Sequence, residues 1–230
     1  MPEATIHLSP AADLAERVLL PGDPHRALAM AQALLESPRM FNARRGLWGY
    51  TGTAPDGEPV TIQSTGMGGP SAAIVVRELV ELGASTFVRT GTCGAFGGRL
   101  RIGDVIAVDA ALADGASRGL GARDSVAADP DLTASLVDAV GRPAVTVAST
   151  ELFYDPREEA AMERWLAAGA VAVEMEAAAV LQTAVNEGVR AGCVLLVTDL
   201  LTEGRRRMPH AEIEERSNAA GVLALQALGS

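Results

Sequence analysis

Short apolar runs alternate with stretches of helical period along almost the whole chain. Val18-Leu19-Leu20 reads as a buried strand stopped by Pro21-Gly22, and Asp23-Pro24 supplies an N-cap and a first-turn proline for a helix running to about residue 36. Residues 47–53 and 60–64 predict a hairpin across the turn Pro55-Asp56-Gly57. The loop Gly66-Met67-Gly68-Gly69-Pro70 opens a helix whose Ile74, Val75, Leu79 and Leu82 share one face and which Gly83 closes. A strand over 86–90, a second Gly-rich loop over 91–94 and a strand over 105–108 follow, whereas 111–128 carries no period and reads as loop. Helices are then expected from Asp129-Pro130, over 156–167, over 176–187 and over 210–228, with strands over 144–148, 171–173 and 192–197 and a polar turn at Arg205-Arg206-Arg207. This alternation predicts an α/β fold, a single domain over 1–230 with a mixed, largely parallel central sheet flanked by helices.

Composition narrows the chemistry. With 48% hydrophobic and 21% charged residues in 230, the chain can bury a full core and is not disordered. Two cysteines, Cys93 and Cys193, are too few for a disulfide framework and sit in no metal-ligand spacing. No run approaches the ~18 apolar residues of a membrane span, and the first ten residues lack an export signal, so no membrane partner is expected and the cytoplasm is the expected location. A net charge of −10 argues against a nucleic-acid surface and for a small partner. All 19 basic residues are arginine. Schiff-base and pyridoxal enzymes and Walker-type loops each need a lysine and are excluded, while arginine suits bidentate recognition of phosphate or carboxylate.

In open α/β sheets ligands sit beyond the carboxyl ends of the strands. Gly22-Asp23-Pro24-His25-Arg26 and Arg89-Thr90-Gly91-Thr92 each combine glycine, a cation and free backbone N–H groups, the composition of an anion cradle, although each also serves as a plain turn. Glu174, Glu176 and Asp199 end apolar strands, where poor solvation favours the protonated carboxyl that a general acid needs. A helix first turn for the two glutamates and a cap for the aspartate are the alternatives.

Six segments in order, Leu20-Pro21-Gly22-Asp23-Pro24-His25-Arg26, Asn42-Ala43-Arg44-Arg45-Gly46, Thr65-Gly66-Met67-Gly68-Gly69-Pro70-Ser71, Arg89-Thr90-Gly91-Thr92-Cys93-Gly94-Ala95, Leu152-Phe153-Tyr154 and Val173-Glu174-Met175-Glu176-Ala177-Ala178, resemble the motifs of the nucleoside phosphorylase family, in its bacterial hexameric purine nucleoside phosphorylase and uridine phosphorylase branch. The resemblance implies phosphorolysis: inorganic phosphate as co-substrate attacks C1′ of a nucleoside, with no metal or organic cofactor. It implies that Gly22, Arg26, Arg89 and Thr92 cradle the phosphate and that Arg45 reaches it from a neighbouring subunit. Glu176 would hold the ribose hydroxyls, with Met67 and Met175 against the sugar and the neighbour's His7 at the 5′-hydroxyl. Phe153, Val173 and Glu174 would line the base, and Asp199 would protonate N7 of a leaving purine, assisted by Arg216 or by one of Arg205, Arg206 and Arg207. A homo-oligomer with shared sites, a trimer of dimers, is the implied assembly.

Uridine phosphorylases of this branch carry a Gln-x-Arg set after the Phe-Tyr pair; here Asp155-Pro156-Arg157-Glu158-Glu159 has no glutamine, and Asp199 is present, so the purine reading leads. A uridine or broad-specificity phosphorylase, a nucleosidase and a non-catalytic purine sensor are the other readings. The choice between 6-oxo and 6-amino purines stays open, because Leu200 stands where the family often has histidine.

Overall fold

A computed structural model describes residues 5–98, 100–202 and 204–229. In chain order the elements are β1 (Arg17–Leu20), α1 (Pro24–Leu34), β2 (Glu36–Asn42), β3 (Gly49–Thr53), β4 (Pro59–Gln63), α2 (Gly69–Glu81), β5 (Thr86–Ala95), β6 (Val105–Leu112), α3 (Gly115–Gly119), β7 (Ser125–Ala127), α4 (Pro130–Val140), β8 (Val145–Ser149), α5 (Glu158–Ala167), β9 (Ala172–Glu174), α6 (Ala177–Glu187), β10 (Arg190–Leu200), β11 (Arg206–Arg207) and α7 (His210–Leu228). One mixed sheet takes up these strands in the order β11-β10-β6-β8-β9-β5-β1-β4-β3-β2, with β7 on β6. A further pairing of β5 with β10 closes the middle of that order on itself. The parallel pairs are the central ones, β1 with β4 and β5, β5 with β10, and β8 with β6 and β9. The outer hairpin strands and β11 run antiparallel.

Two cores flank the sheet. Phe87, Val75, Leu79, Leu181 and Leu195 pack on the side of α2 and α6; Leu19, Met30, Ile62, Leu136, Val194 and Leu225 pack on the side of α1, α4 and α7. Successive residues of β10, Val194 and Leu195, fall in opposite cores, as a strand buried on both faces requires. Each large side chain so buried contributes about 1.5–3 kcal/mol. Eight of the eleven residues of α6 are buried and four of them are alanine, which brings its backbone close to α2.

Three expectations need correction. The helix from Pro24 stops at Leu34, because 36–42 forms β2 along β3. Five of the seven residues of β2 are exposed, so it lacks the apolar alternation that marks a half-buried strand. Residues 91–94, expected as a loop, lie inside β5, where pairing with β10 overrides the two glycines. The stretch 111–128 holds the end of β6, the single-turn α3 capped by Asp114 and Ser117, and the three-residue β7. Elements that short show no period.

The N-terminal segment is tied to α2 by one carboxylate. Glu78 accepts from the Leu8 N–H at 2.8 Å, from the His7 N–H at 3.0 Å and from Thr5 Oγ1, and it meets Nδ1 of His7 at 2.5 Å. Burial pushes the Glu78 carboxyl up, but the hydrogen bonds from Thr5, His7 and Leu8 outweigh it and hold the group below the usual glutamate range. A depressed carboxylate stabilises the fold at pH values above its unfolded pKa of about 4.3, and that contribution is lost as pH falls through the lower folded value. Hydrogen exchange followed from pH 6 to pH 3 is therefore expected to show the His7 and Leu8 amides losing protection before those of β5 and β10, and Glu78→Gln to remove that early step.

Candidate functional site

Arg89 on β5 is the centre of the site. It is 2% exposed, and its guanidinium lies along the strand over Gly91, where a Cβ would stand 2.6 Å from Nη2. Glycine at 91 is thus required by the arginine two residues earlier on the same pleat. Nε of Arg89 donates to Glu174 at 2.9 Å, and Nη2 donates to Glu176. Glu174 ends β9 and is itself held: it accepts from the N–H groups of Glu176 and Ala177, both at 2.8 Å, and from Ser149 Oγ. The same carboxylate therefore fixes the first turn of α6 and the direction of Arg89. Glu176 accepts in addition from the Gly68 N–H at 2.6 Å. Gly68 has φ +87°, a conformation that side chains with a Cβ rarely adopt, so the loop before α2 needs glycine there to reach the carboxylate.

Burial pushes the Arg89 guanidinium down, but Glu176 and Glu174 outweigh it and the group is held above the usual arginine range. For Glu176 burial dominates and pushes the carboxyl up, with Arg89 opposing and Glu174 adding to the rise. Arg26, in the first turn of α1, is pushed down by burial and then by Arg89, against the opposing pull of Asp23 and Glu176. Gly22 lies beside it, the position of its absent Cβ being 3.6 Å from Nη2 of Arg26. Nη1 of Arg26 and Nη1 of Arg89 are both buried with no hydrogen-bond partner. Two like charges that repel each other, each with an unpaired donor, are the complement of an oxyanion.

Asp199, near the end of β10, pairs across the sheet with Gly94, which in turn pairs with Val173. Its Oδ2 accepts from Thr198 Oγ1 at 2.8 Å and its Oδ1 from Nε of Arg207 at 2.6 Å. Arg207 also faces the Phe153 ring, with Cζ 5.9 Å from the centroid. Phe153 is half exposed, Met67 is 85% exposed, and Val173 and Met175 are half-buried around β9.

Four positions lie apart from this arrangement. Arg216, the first expected partner of Asp199, instead faces Glu212 at 3.8 Å and the backbone at Gly103; β11 brings Arg207 opposite Asp199 before α7 begins. Thr92 is three residues from Arg89 in a regular strand and so on the opposite pleat. Arg45 is exposed, with φ +58° and no ion pair among the described residues. His7 stands with Ile6, Ile74, Arg77 and Glu81 in a groove of about 440 Å³ on the outer face of α2. Ser149, the Gly68 N–H as a donor to Glu176, and Arg207 as a ring contact escaped the sequence reading; such contacts carry no signal without the fold. Burial raises both cysteine thiols, which keeps them protonated and un-nucleophilic. No group of side chains among the described residues could hold a metal ion, and no helix among them is long and apolar enough to cross a membrane.

Comparison with known proteins identifies the family. The sequence model described as the phosphorylase superfamily matches residues 16–228. A DeoD-type purine nucleoside phosphorylase of Geobacillus kaustophilus is 38% identical over 201 residues, 84% of each chain. One of Jannaschia sp. is 37% identical over 234 residues, 97% of this chain and 98% of the relative. The uridine phosphorylase of Escherichia coli is 34% identical over 224 residues, 89% of this chain and 87% of the relative. By its motifs, its fold and these matches, the chain belongs to the phosphorylase superfamily.

Proposed function

We propose that the protein is a cytoplasmic purine nucleoside phosphorylase that uses inorganic phosphate and no cofactor. The observation that carries this reading is the pair of guanidiniums, Arg26 and Arg89, each with a buried, unpartnered Nη1 near the Glu176 carboxylate. A phosphate oxygen accepting from both would be held against the sugar whose hydroxyls donate to Glu176. Attack of that oxygen forms the C1′–O bond as the C1′–N9 bond breaks. The released electron pair enters the purine, which takes a proton at N7 from the Asp199 carboxyl and leaves as the free base, with ribose 1-phosphate the other product. Ionic hydrogen bonds in a buried site are worth about 1.5–3 kcal/mol each, enough to hold phosphate without metal.

The purine reading is supported by Asp199 and by the DeoD-type relatives. Uridine is the second reading, favoured by the similarity to a uridine phosphorylase. The site is completed by a second copy in this proposal. Arg45, exposed and in a left-handed backbone conformation that costs about 1–3 kcal/mol, would reach the partner's phosphate, and His7 the partner's 5′-hydroxyl, in dimers that gather in threes.

Three measurements test this. Arg26→Ala is expected to raise the phosphate KM by about 10- to 100-fold, one charged hydrogen bond's worth, with a much smaller change for the nucleoside. Base release that proceeds equally without phosphate would make the enzyme a nucleosidase. Asp199→Asn is expected to slow inosine phosphorolysis by about 10²–10⁴-fold and to affect 7-methylguanosine far less, because its imidazole ring is already cationic in the nucleoside and the base leaves neutral without taking a proton. Equal losses would remove Asp199 from the acid role. Finally, Arg45→Ala and Arg26→Ala chains, each weak alone, are expected to regain activity when co-expressed, since a mixed dimer contains one site with both arginines. Absence of recovery would place Arg45 outside the partner's site.

A further inference from the structure

Resting on the shared site proposed above, we infer that Asn42 is a positioning residue that fixes in one frame the two groups this subunit would hand to its neighbour, Arg45 for the phosphate and His7 for the 5′-hydroxyl. Both lie apart from the Arg26 and Arg89 cluster of their own chain. Arg45 is exposed and has no ion pair among the described residues, so its aim is set by its backbone. His7 is held at its N–H and at Nδ1 by Glu78. What joins the two is a buried amide.

Asn42, at the end of β2, is fully buried, and both of its acceptor and both of its donor positions are used. Oδ1 accepts from the Ser9 N–H at 3.0 Å and from the Arg44 N–H at 3.3 Å. Nδ2 donates to the Leu47 carbonyl at 2.6 Å and to the Arg44 carbonyl at 3.4 Å. The bond to Arg44, two residues on, is the ordinary turn that asparagine makes with its own backbone. The others reach further. The Leu47 carbonyl takes a second buried amide, Gln63 Nε2, at 2.9 Å, and the Leu47 N–H closes on the Arg44 carbonyl at 3.0 Å. The turn Arg44–Gly46 is thus bonded at both ends, and this holds Arg45 at φ +58° and ψ +17°, which a residue with a Cβ keeps only where its surroundings over-determine it.

The Ser9 bond extends the same frame to the N-terminal segment. Beyond it the Ala11 N–H donates to the Phe41 carbonyl at 2.7 Å, next to Asn42 in the chain, and before it the amides of His7 and Leu8 donate to Glu78 on α2. Glu78 therefore anchors His7 without touching the Arg45 turn, and Gln63 anchors that turn without touching the N-terminal segment. Asn42 binds both. A planar amide satisfies all four bonds in one orientation, so the turn and the segment cannot shift independently while it is in place. A site shared between subunits needs this, because the phosphate and the 5′-hydroxyl belong to ligands bound side by side, and a displacement of about 1 Å in a positioning group can cost about 100-fold in rate.

The experiment follows inosine phosphorolysis by Asn42→Ala, alone and co-expressed with other altered chains, with Asn42→Ser, which keeps a polar atom in the pocket, carried through the same pairings in parallel. Alone, Asn42→Ala is expected to raise the KM for phosphate and the KM for inosine together, each by about tenfold, whereas Arg45→Ala raises chiefly the first and His7→Ala chiefly the second. Asn42→Ser should show the same double effect, reduced. Co-expressed with Arg26→Ala, Asn42→Ala is expected to regain activity, because in the mixed dimer the site on the Asn42→Ala chain receives an intact frame from its neighbour. Co-expressed with Arg45→Ala it should regain none, since each chain then spoils what it hands over. A merely structural role would damage the site on the altered chain itself and reverse the pattern, with recovery beside Arg45→Ala and none beside Arg26→Ala; that reversal overturns the inference. Should Arg45→Ala with Arg26→Ala recover while neither Asn42 variant recovers with Arg26→Ala, the shared site stands and the role of Asn42 falls. If the Arg45→Ala and Arg26→Ala pair fails to recover, the shared site itself falls and takes this inference with it.

Discussion

The Arg89 guanidinium, clamped between the carboxylates of Glu174 and Glu176, is the interaction on which the rest depends. All three side chains are buried, and a buried ion pair that loses one member leaves an uncompensated charge at a cost of about 3–5 kcal/mol. The cluster therefore ties together elements distant in sequence: β5 through Arg89, β8 through Ser149, the start of α6 through Glu174, and the loop before α2 through Gly68. The same bonds that join these elements aim one guanidinium nitrogen away from any protein acceptor. Architecture and ligand chemistry are here the same set of hydrogen bonds.

Charge within the cluster explains how a chain of net charge −10 can hold an anion. Arg26 and Arg89 against Glu174 and Glu176 sum to zero, and distant surface acids are screened beyond about 8–10 Å. Field at short range, set by the unpaired donors, outweighs the total. A phosphate dianion added to a neutral cluster would leave two negative charges in a poorly solvated place. A third guanidinium from a neighbouring copy halves that excess, which is a physical reason for a site of this kind to lie at a contact between subunits.

Most of the fold was legible because its long strands are buried on both faces and its helices are amphipathic; Gly192 to Val197 could be read as a strand by its apolar run alone. What escaped was short, edge-bound or dependent on packing. β2 is polar because it lies at the sheet edge, and β7 and α3 are too short to show a period. The glycines of 91–94 read as a loop because in sequence a glycine says only that no side chain is present. In the structure the space at Gly91 belongs to Arg89. The candidate site was legible through six ordered segments taken together, since neither a glycine turn nor a strand-end acid is informative singly. Arg26, Arg89, Glu174 and Glu176 come together as those segments imply, and of the four arginines offered for Asp199 it is Arg207, not Arg216, that meets it. Spacing alone could not choose among the four, because the choice is made by two residues of strand pairing before α7.

The two halves of the site also differ in how they are held, and the difference follows their chemistry. At the proposed phosphate end Arg89, Glu174 and Glu176 are buried, cross-linked by bonds of 2.6–2.9 Å and built on strands and a helix start, so that charge is pre-oriented and an arriving anion would need little reorganisation. At the proposed base end Phe153 and Arg207 are largely exposed and stand on a loop and on a two-residue strand. A phosphate is the same in every turnover, whereas bases vary, and stacking on an exposed ring accepts many of them. Discrimination at such an end must then come from the few polar groups whose backbone is fixed. Asp199 is fixed by β10 and Arg207 by its pairing with Asp199 across β11, which makes that ion pair a polar feature of fixed backbone among exposed side chains.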